Sequence, residues 1–522
     1  MSSPSEQAGA PQATHTEAEI RTFLQNAEVA VIATASGEDI RLRMMHLGFE
    51  DDFSIYLASL HGDPKILQMV NNPSVSILVN RLTGNIVESE EVEYTGRAMI
   101  IHDKAERERC LTATARTSPI VQALTAQGNT GVLDCVKIVP QLVKYRRFAE
   151  IVQGIPPTVL DFPDNRQVVS DWSRLKTKAR SWWVAIRPNS LAGVITSVVL
   201  GASIAWNQMN HLRVGTPFHW GWFLLTLLGG LLLQAGTNVL NDYNDHRTGA
   251  DAANRSFVRP FNGGSRVIQL GLLTPLETMT GGITLCLAAL GLGTYFAFSG
   301  RPLVAALALF GALSGYFYNS LGHNAIKAGL GELVIGLNFG LLVTLGAFYV
   351  QTGYLAVMPA VASLAVTFLI TAVLFINQFQ DDESDRRTGK LTLVVRLGRQ
   401  KAAALLPLYF WLAFALVAAL AAVGYAPLAT LLAFVSAPLA YRAATLAKRH
   451  YASNVDLAPA NGFTALTHLT FGLMQALGYI ASAGIAYVLV FGVIFVGFAV
   501  YMYRYTERLR LAGVSVQKAV AG

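Results

Sequence analysis

Cysteine is almost missing from this sequence: Cys110, Cys135 and Cys286 are the only three in 522 residues. An odd number without a C-x-x-C pair excludes a disulfide framework and a zinc site of the usual spacing, leaving three small apolar residues. Charge is sparse too, with 14% Asp, Glu, Lys and Arg against 52% hydrophobic residues and a mean hydropathy of +0.41. Ordinary soluble proteins are about one quarter charged, so the balance indicates a membrane protein with a soluble part. The first fourteen residues lack the basic start and apolar run of a secretion signal, and residues 1–16 read as a disordered tail. A net charge of +7 points toward nucleic acid only at first sight. The Lys and Arg residues cluster beside apolar segments, which makes them loop charges of a membrane protein and argues against nucleic acid as a partner.

Long apolar stretches are what the chain has in abundance. They run approximately from Ser190 to Trp206, Trp222 to Leu240, Leu276 to Phe298, Pro302 to Tyr318, Leu330 to Val350, Met358 to Phe379, Ala402 to Val423 and Pro427 to Leu446. The region from Phe463 to Tyr503 is too long for one span and supplies a ninth and a tenth. Residues 181–505 are therefore expected to form an all-α transmembrane bundle of nine or ten helices in the lipid bilayer, followed by a tail at 506–522. Positive charge follows the second span (Arg247, Arg255, Arg259, Arg266), the fourth (Lys327), the sixth (Arg386, Arg387, Lys390) and the eighth (Lys448, Arg449), which places those loops on the cytoplasmic side of the cell membrane.

Two acidic clusters sit at cytoplasmic span ends. In the first, Asn238, Asn241, Asp242 and Asp245 fall at i, i+3, i+4 and i+7; in the second, Asn377, Asp381 and Asp385 fall at i, i+4 and i+8. Each set shares one helix face. Two copies of Asp-x-Arg-Thr-Gly, ending at Gly249 and Gly389, hint at a duplicated unit. Mg²⁺ takes oxygen ligands and is typically held by a few carboxylates plus substrate phosphates, so two such faces suit a diphosphate. Arg259, Arg266, Lys327, Arg387 and Lys390 add fixed positive charge for it. An allylic diphosphate would ionise there inside a cavity that keeps water off the cation. An ion-coupled transporter is the competing explanation for intramembrane acids, but these acids lie at span ends rather than mid-span.

Residues 17–150 look different. Short runs rich in Val, Ile and Tyr, from Glu28 to Ala35, Ile40 to Phe49, Phe53 to Leu60, Ser74 to Asn80, Val92 to His102 and Leu133 to Arg147, predict a mostly β barrel. Helical patterns interrupt it at Ile20 to Gln25, Pro64 to Val70 and Lys104 to Ala115. Residues 151–180, with the proline-containing segments Ile-Pro-Pro-Thr and Asp-Phe-Pro-Asp followed by basic residues beside Trp182 and Trp183, read as a linker and juxtamembrane segment. The fold class expected is thus multidomain: an N-terminal split β-barrel and a C-terminal multi-span helical bundle.

The segments Ala185 to Leu191, Asn238 to Asp251, Gly329 to Glu332, Tyr349 to Gly353, Asn377 to Asp385 and Gly389 to Gly398 together resemble the UbiA superfamily of membrane prenyltransferases, and within it the 1,4-dihydroxy-2-naphthoate polyprenyltransferases of menaquinone synthesis. The resemblance implies Mg²⁺-dependent transfer from a polyprenyl diphosphate to an aromatic acceptor. It implies that Asp242, Asp245 and Asp251 bind one metal–diphosphate face and Asp381 and Asp385 the other, with Asn238 and Asn377 in support and Lys327 near the diphosphate or acceptor. Gln378 and Gln380 depart from the usual Asn and Arg, which leaves acceptors of 4-hydroxybenzoate or homogentisate type open. Arg187, Asn189 and Tyr243 are candidate acceptor contacts. Residues 17–148 resemble the split-barrel flavin domains related to pyridoxamine 5'-phosphate oxidase, carried by Val31 to Thr34, Arg41 to Met45, Ile55 to Ser59 and Lys65 to Ser76. That likeness implies an FMN phosphate held by Arg43, Ser59 and Lys65, and a membrane-tethered flavin oxidoreductase is the alternative activity.

Overall fold

A computed structural model describes residues 15–36, 39–61, 63–165, 171–211, 217–248, 261, 264–269, 272–320, 331–388, 391–481 and 484–521. The chain divides into two compact units at Trp182 and Trp183.

In the N-terminal unit the elements run α1 (Glu17–Gln25), β1 (Val29–Ser36), β2 (Asp39–His46), β3 (Gly48–Phe49), β4 (Ile55–Leu60), α2 (Pro64–Asn71), β5 (Ser74–Arg81), β6 (Glu90–Ile100), α3 (Lys104–Ala115), α4 (Pro119–Ala126), β7 (Leu133–Arg147), α5 (Phe148–Val152) and β8 (Thr158–Asp161). The sheet is antiparallel, in the order β2-β1-β5-β6-β7-β4-β3 with β8 on β7, the split-barrel architecture expected. β5 shows why it forms: its residues alternate exposed and buried, so Val75, Ile77 and Val79 enter the core while Ser74, Ser76 and Leu78 face out. Tyr94, fully buried, anchors the centre by donating its hydroxyl to the carbonyls of Phe53 and Ile138. A bulge between Thr95 and Gly96 bends β6, and a side chain at Gly96 would collide with the Tyr94 ring and Val139. Cys110 and Cys135 are buried free thiols.

Two departures from the sequence reading have simple causes. The run Ile40–Phe49 is not one strand: it breaks at buried Leu47, so that β2 pairs with β1 at one edge and β3 with β4 at the other. The sheet also continues past residue 150, because Thr158–Asp161 of the expected linker pairs with β7, Tyr145 opposite Thr158 and Leu142 opposite Asp161. Prolines 156 and 157 precede that strand and do not occupy its ladder.

The second unit follows α6 (Asp171–Ala185) and comprises α7 (Pro188–His211), α8 (Trp220–Thr248), α9 (Pro275–Phe298), α10 (Pro302–Ser320), α11 (Gly331–Thr352), α12 (Val357–Thr388), α13 (Leu393–Leu397), α14 (Arg399–Ala422), α15 (Ala437–His450, entered through a 3₁₀ stretch at Leu428–Ser436), α16 (Asn454–Ile480) and α17 (Ile485–Ala521). Among the described residues eight helices are long and apolar enough to cross a bilayer, and the protein is an integral membrane protein. α10 and α16 are the other two long helices. α16 carries Asn461, Thr464, Thr467, His468 and Gln475 yet is buried along most of its length, so neighbouring helices rather than lipid surround it. It begins at Asn454, ahead of the Phe463 expected from hydropathy, because its first turns are polar.

Close contacts fix the helix directions. Asn238 of α8 reaches Ile186 and Ser190 at the start of α7, while Gly230 meets Val194 and Val198 further on, so α7 and α8 are antiparallel. Gly193 of α7 meets Ile370, and Gly472 packs between Thr196 and Val366, which sets α7 antiparallel to α12 as well. The C-terminal ends of α8 and α12, bearing the two acidic clusters, therefore lie at the same end of the bundle, where α7 and α16 begin. α11 contains a π-helical stretch at Leu337–Leu342, and a side chain on Gly340 there would overlap Thr367 of α12.

Candidate functional site

The polar end of the bundle is built around Asp242. Its carboxylate is only 1% exposed, and it accepts from the Arg187 guanidinium, from the Ser265 hydroxyl and, at 3.1 Å, from the Ser265 N–H. A buried carboxylate needs a cation and donors of this kind to stay ionised. Arg187 sits in a left-handed conformation (φ 52°) just before Pro188, and Arg266 does likewise (φ 57°) beside Ser265. Two non-glycine residues in this backbone region thus stand next to the groups that hold one carboxylate. One turn earlier on α8, the Asn238 amide donates to the Ile186 carbonyl at 3.0 Å and the Ser190 hydroxyl at 2.8 Å, and Gln234 donates to the Ser190 carbonyl at 2.8 Å. Asn241 donates to Asp245 at 2.7 Å on the half-buried side of the helix.

On α12 the Asp-rich segment splits. Asp385 is buried and Asp381 half-buried, whereas Asp382 and Glu383 pair along the helix with Arg386 (3.0 Å) and Arg387 (2.5 Å). Arg387, expected at the diphosphate, is thus an exposed i, i+4 partner of Glu383, and Arg187, expected at the acceptor, is held by Asp242. Asp251, Arg259, Lys327 and Lys390 lie outside the described residues.

Three groups at this end went unassigned in the sequence reading. Ser265 completes the Asp242 shell. Asn461 of α16 donates to Asn377 (2.8 Å) and exchanges hydrogen bonds with Gln380 (2.8 and 3.1 Å). Glu332 opens α11 and accepts from Gln378 (2.9 Å) and the Leu393 N–H (3.1 Å). The two glutamines that depart from the naphthoate pattern are therefore internal struts, one toward α16 and one toward α11. An acid and an asparagine within apolar helices are signals of function in themselves.

Beside this polar end lies a partly open apolar cavity of about 170 Å³, walled by α7 to α11 through residues such as Val194, Leu233, Leu292, Leu307, Phe339 and Val343. Its lining on α8 runs from Leu225 to Thr237, about 18 Å of helix, and ends one residue before Asn238.

Among the described residues no three His, Cys, Asp or Glu side chains converge as a metal cluster. Mg²⁺ does not require one, since one or two carboxylates with phosphates and water suffice. The donors at this end, Asp245, Asp381 and Asp385 with Asn241 and Asn377, offer oxygen and no sulfur or imidazole, which fits Mg²⁺. In the N-terminal unit the phosphate residues are brought together but already engaged: Ser59 donates to Asp63 at 2.9 Å, Lys65 to Asp63 at 2.6 Å, and Arg43 to Thr34 at 2.7 Å and Gln68 at 2.8 Å. Burial lowers the Arg43 guanidinium, and the nearby Asp63 charge opposes that. As they stand, these residues do not form an open phosphate cradle.

Two helices carrying acidic clusters thus stand at one end of a membrane bundle, beside an apolar cavity. Residues 194–463 match the UbiA prenyltransferase family, and the chain belongs to that family and is a transferase. Residues 16–132 match pyridoxamine 5'-phosphate oxidase. The chain is 31% identical to the 1,4-dihydroxy-2-naphthoate octaprenyltransferase of Haemophilus influenzae over 44% of its own length and 72% of that protein's. It is 27% identical to the Bacillus subtilis enzyme of the same name, over 58% and 92% of the two lengths, and 31% identical to the Escherichia coli one, over 43% and 71%.

Proposed function

We propose that the protein transfers a polyprenyl group from a polyprenyl diphosphate to an aromatic quinone precursor, with 1,4-dihydroxy-2-naphthoate as the acceptor, at the cytoplasmic face of the membrane. The observation that carries the reading is the continuity of α8, on which the apolar cavity lining passes directly into the acidic face. A prenyl diphosphate has that same division between apolar tail and anionic head. The apolar walls would bind the tail and exclude water from the allylic carbon. Asp245, Asp381 and Asp385 would hold Mg²⁺, which when bound neutralises the diphosphate and eases its departure. Asp242 would act by fixing Arg187 and the 265–266 turn around the head group. The relatives' names support the naphthoate acceptor. For the N-terminal unit we propose a flavin-class ligand, on the strength of its family match.

The test is pyrophosphate release from membranes containing the expressed chain, with Mg²⁺, prenyl diphosphates of several lengths and three acceptors: dihydroxynaphthoate, 4-hydroxybenzoate and homogentisate. Release only with dihydroxynaphthoate and Mg²⁺ is expected. Asp381→Asn should abolish it without unfolding the protein, and undiminished turnover would remove the proposed site.

A further inference from the structure

The phosphate-type groups of the N-terminal unit converge on a carboxylate belonging to the chain. Oδ2 of Asp63 accepts from the Ser59 hydroxyl and the Lys65 ammonium. Its other oxygen, Oδ1, caps α2 by accepting from the Lys65 N–H at 3.2 Å, and Pro64 fixes the first helical turn. The carboxylate is thus tethered from both sides. Arg43 lies within its electrostatic reach and has its fork on Thr34 and Gln68, both buried. One hydroxyl and two cations around an anion are the groups that would otherwise bind a phosphate.

We infer that Asp63 is a built-in anion in this cradle, so that the N-terminal unit takes a flavin-type ligand lacking a phosphate arm and discriminates against the phosphorylated form. A phosphate entering here meets a like charge and has to displace Asp63 from both Ser59 and Lys65. The ligand class rests on the flavin reading above, whereas the exclusion of phosphate rests on the geometry of Asp63.

The experiment uses the full-length protein in detergent and its Asp63→Asn variant, since Asn caps a helix as well as Asp but carries no charge. Riboflavin and FMN are titrated by fluorescence quenching, and inorganic phosphate is tested for its effect on thermal unfolding of the N-terminal unit. The native chain is expected to bind riboflavin more tightly than FMN, while D63N shifts the ratio toward FMN by about tenfold, the scale of a regained charge-assisted contact. Phosphate should stabilise D63N and leave the native protein unmoved. A strong FMN preference in the native chain that D63N does not increase, or equal phosphate effects on both, overturns the inference. Failure of both proteins to bind either flavin overturns the flavin reading alone, because the phosphate comparison still decides the role of Asp63.

Discussion

Arg187 and Asp242, 55 residues apart, form an ion pair that joins the start of α7 to the end of α8. The carboxylate is buried while the guanidinium keeps about a quarter of its surface exposed. Removing the cation leaves a buried charge whose remaining donors, among the described residues, belong to Ser265. Arg187→Ala should therefore lose about 3–5 kcal/mol of stability. Arg187→Ala combined with Asp242→Asn should regain much of it yet stay inactive. Thermal unfolding in detergent and pyrophosphate release, measured on all three variants, check the pair.

Asn461 is the second strut to test. Asn461→Leu keeps the branched shape but removes the donor to the side-chain oxygens of Asn377 and Gln380 and the acceptor for the Gln380 amide, which keeps the Asn454 carbonyl, at a cost of about 1–3 kcal/mol. Turnover should fall further than stability, because Asn377 is the residue that shares a face with Asp381 and Asp385. A fall in unfolding temperature with unchanged kcat would show that α16 merely packs.

The bundle's outline was legible because hydropathy acts over whole segments, whereas its polar interior was legible only in part. The i, i+4 spacing correctly put Asp381 and Asp385 on one face, but the same spacing pairs Asp382 with Arg386 and Glu383 with Arg387, and a cation count cannot tell a diphosphate partner from a neighbour one turn away. Ser265 and Asn461 have no motif of their own. Their roles arise from tertiary contacts with Asp242 and Gln380, which no local pattern encodes. In the barrel, alternation found β5 and β7, but β8 is four residues long and follows two prolines, so it carried no recognisable strand signal.

Chain length should respond to the cavity wall. Gly229 lines the cavity, and its missing side chain would make only ordinary contact with Leu292 at 3.6 Å, so a larger group there grows into the open space. Gly229→Phe is expected to lower kcat/KM for the longest prenyl diphosphates by about tenfold or more while sparing short ones. Mass spectrometry of products from a mixed-length pool reads the shift directly.

The N-terminal unit should show a small pH dependence through His61. Its Nδ1 lies 2.9 Å from Asp134, and this hydrogen bond raises the imidazole above its ordinary value. A raised folded-state value means the contribution is complete below about pH 6.5 and disappears as pH climbs through the raised value. The side chain is 71% exposed, so the loss amounts to about half a kcal/mol at most. His61→Gln should flatten that slope in thermal unfolding followed from pH 5.5 to 8.5.

On α8 the last cavity residue and the first amide of the acidic face are consecutive, Thr237 and Asn238. Angular phase along that helix is therefore a shared coordinate for tail and head. A single inserted residue between them would turn the carboxylates by about 100° relative to the greasy wall, and about four would be needed to bring them round again. A change in the length of α8 between wall and carboxylates therefore has to come in whole turns, whereas side chains on the wall can change one at a time.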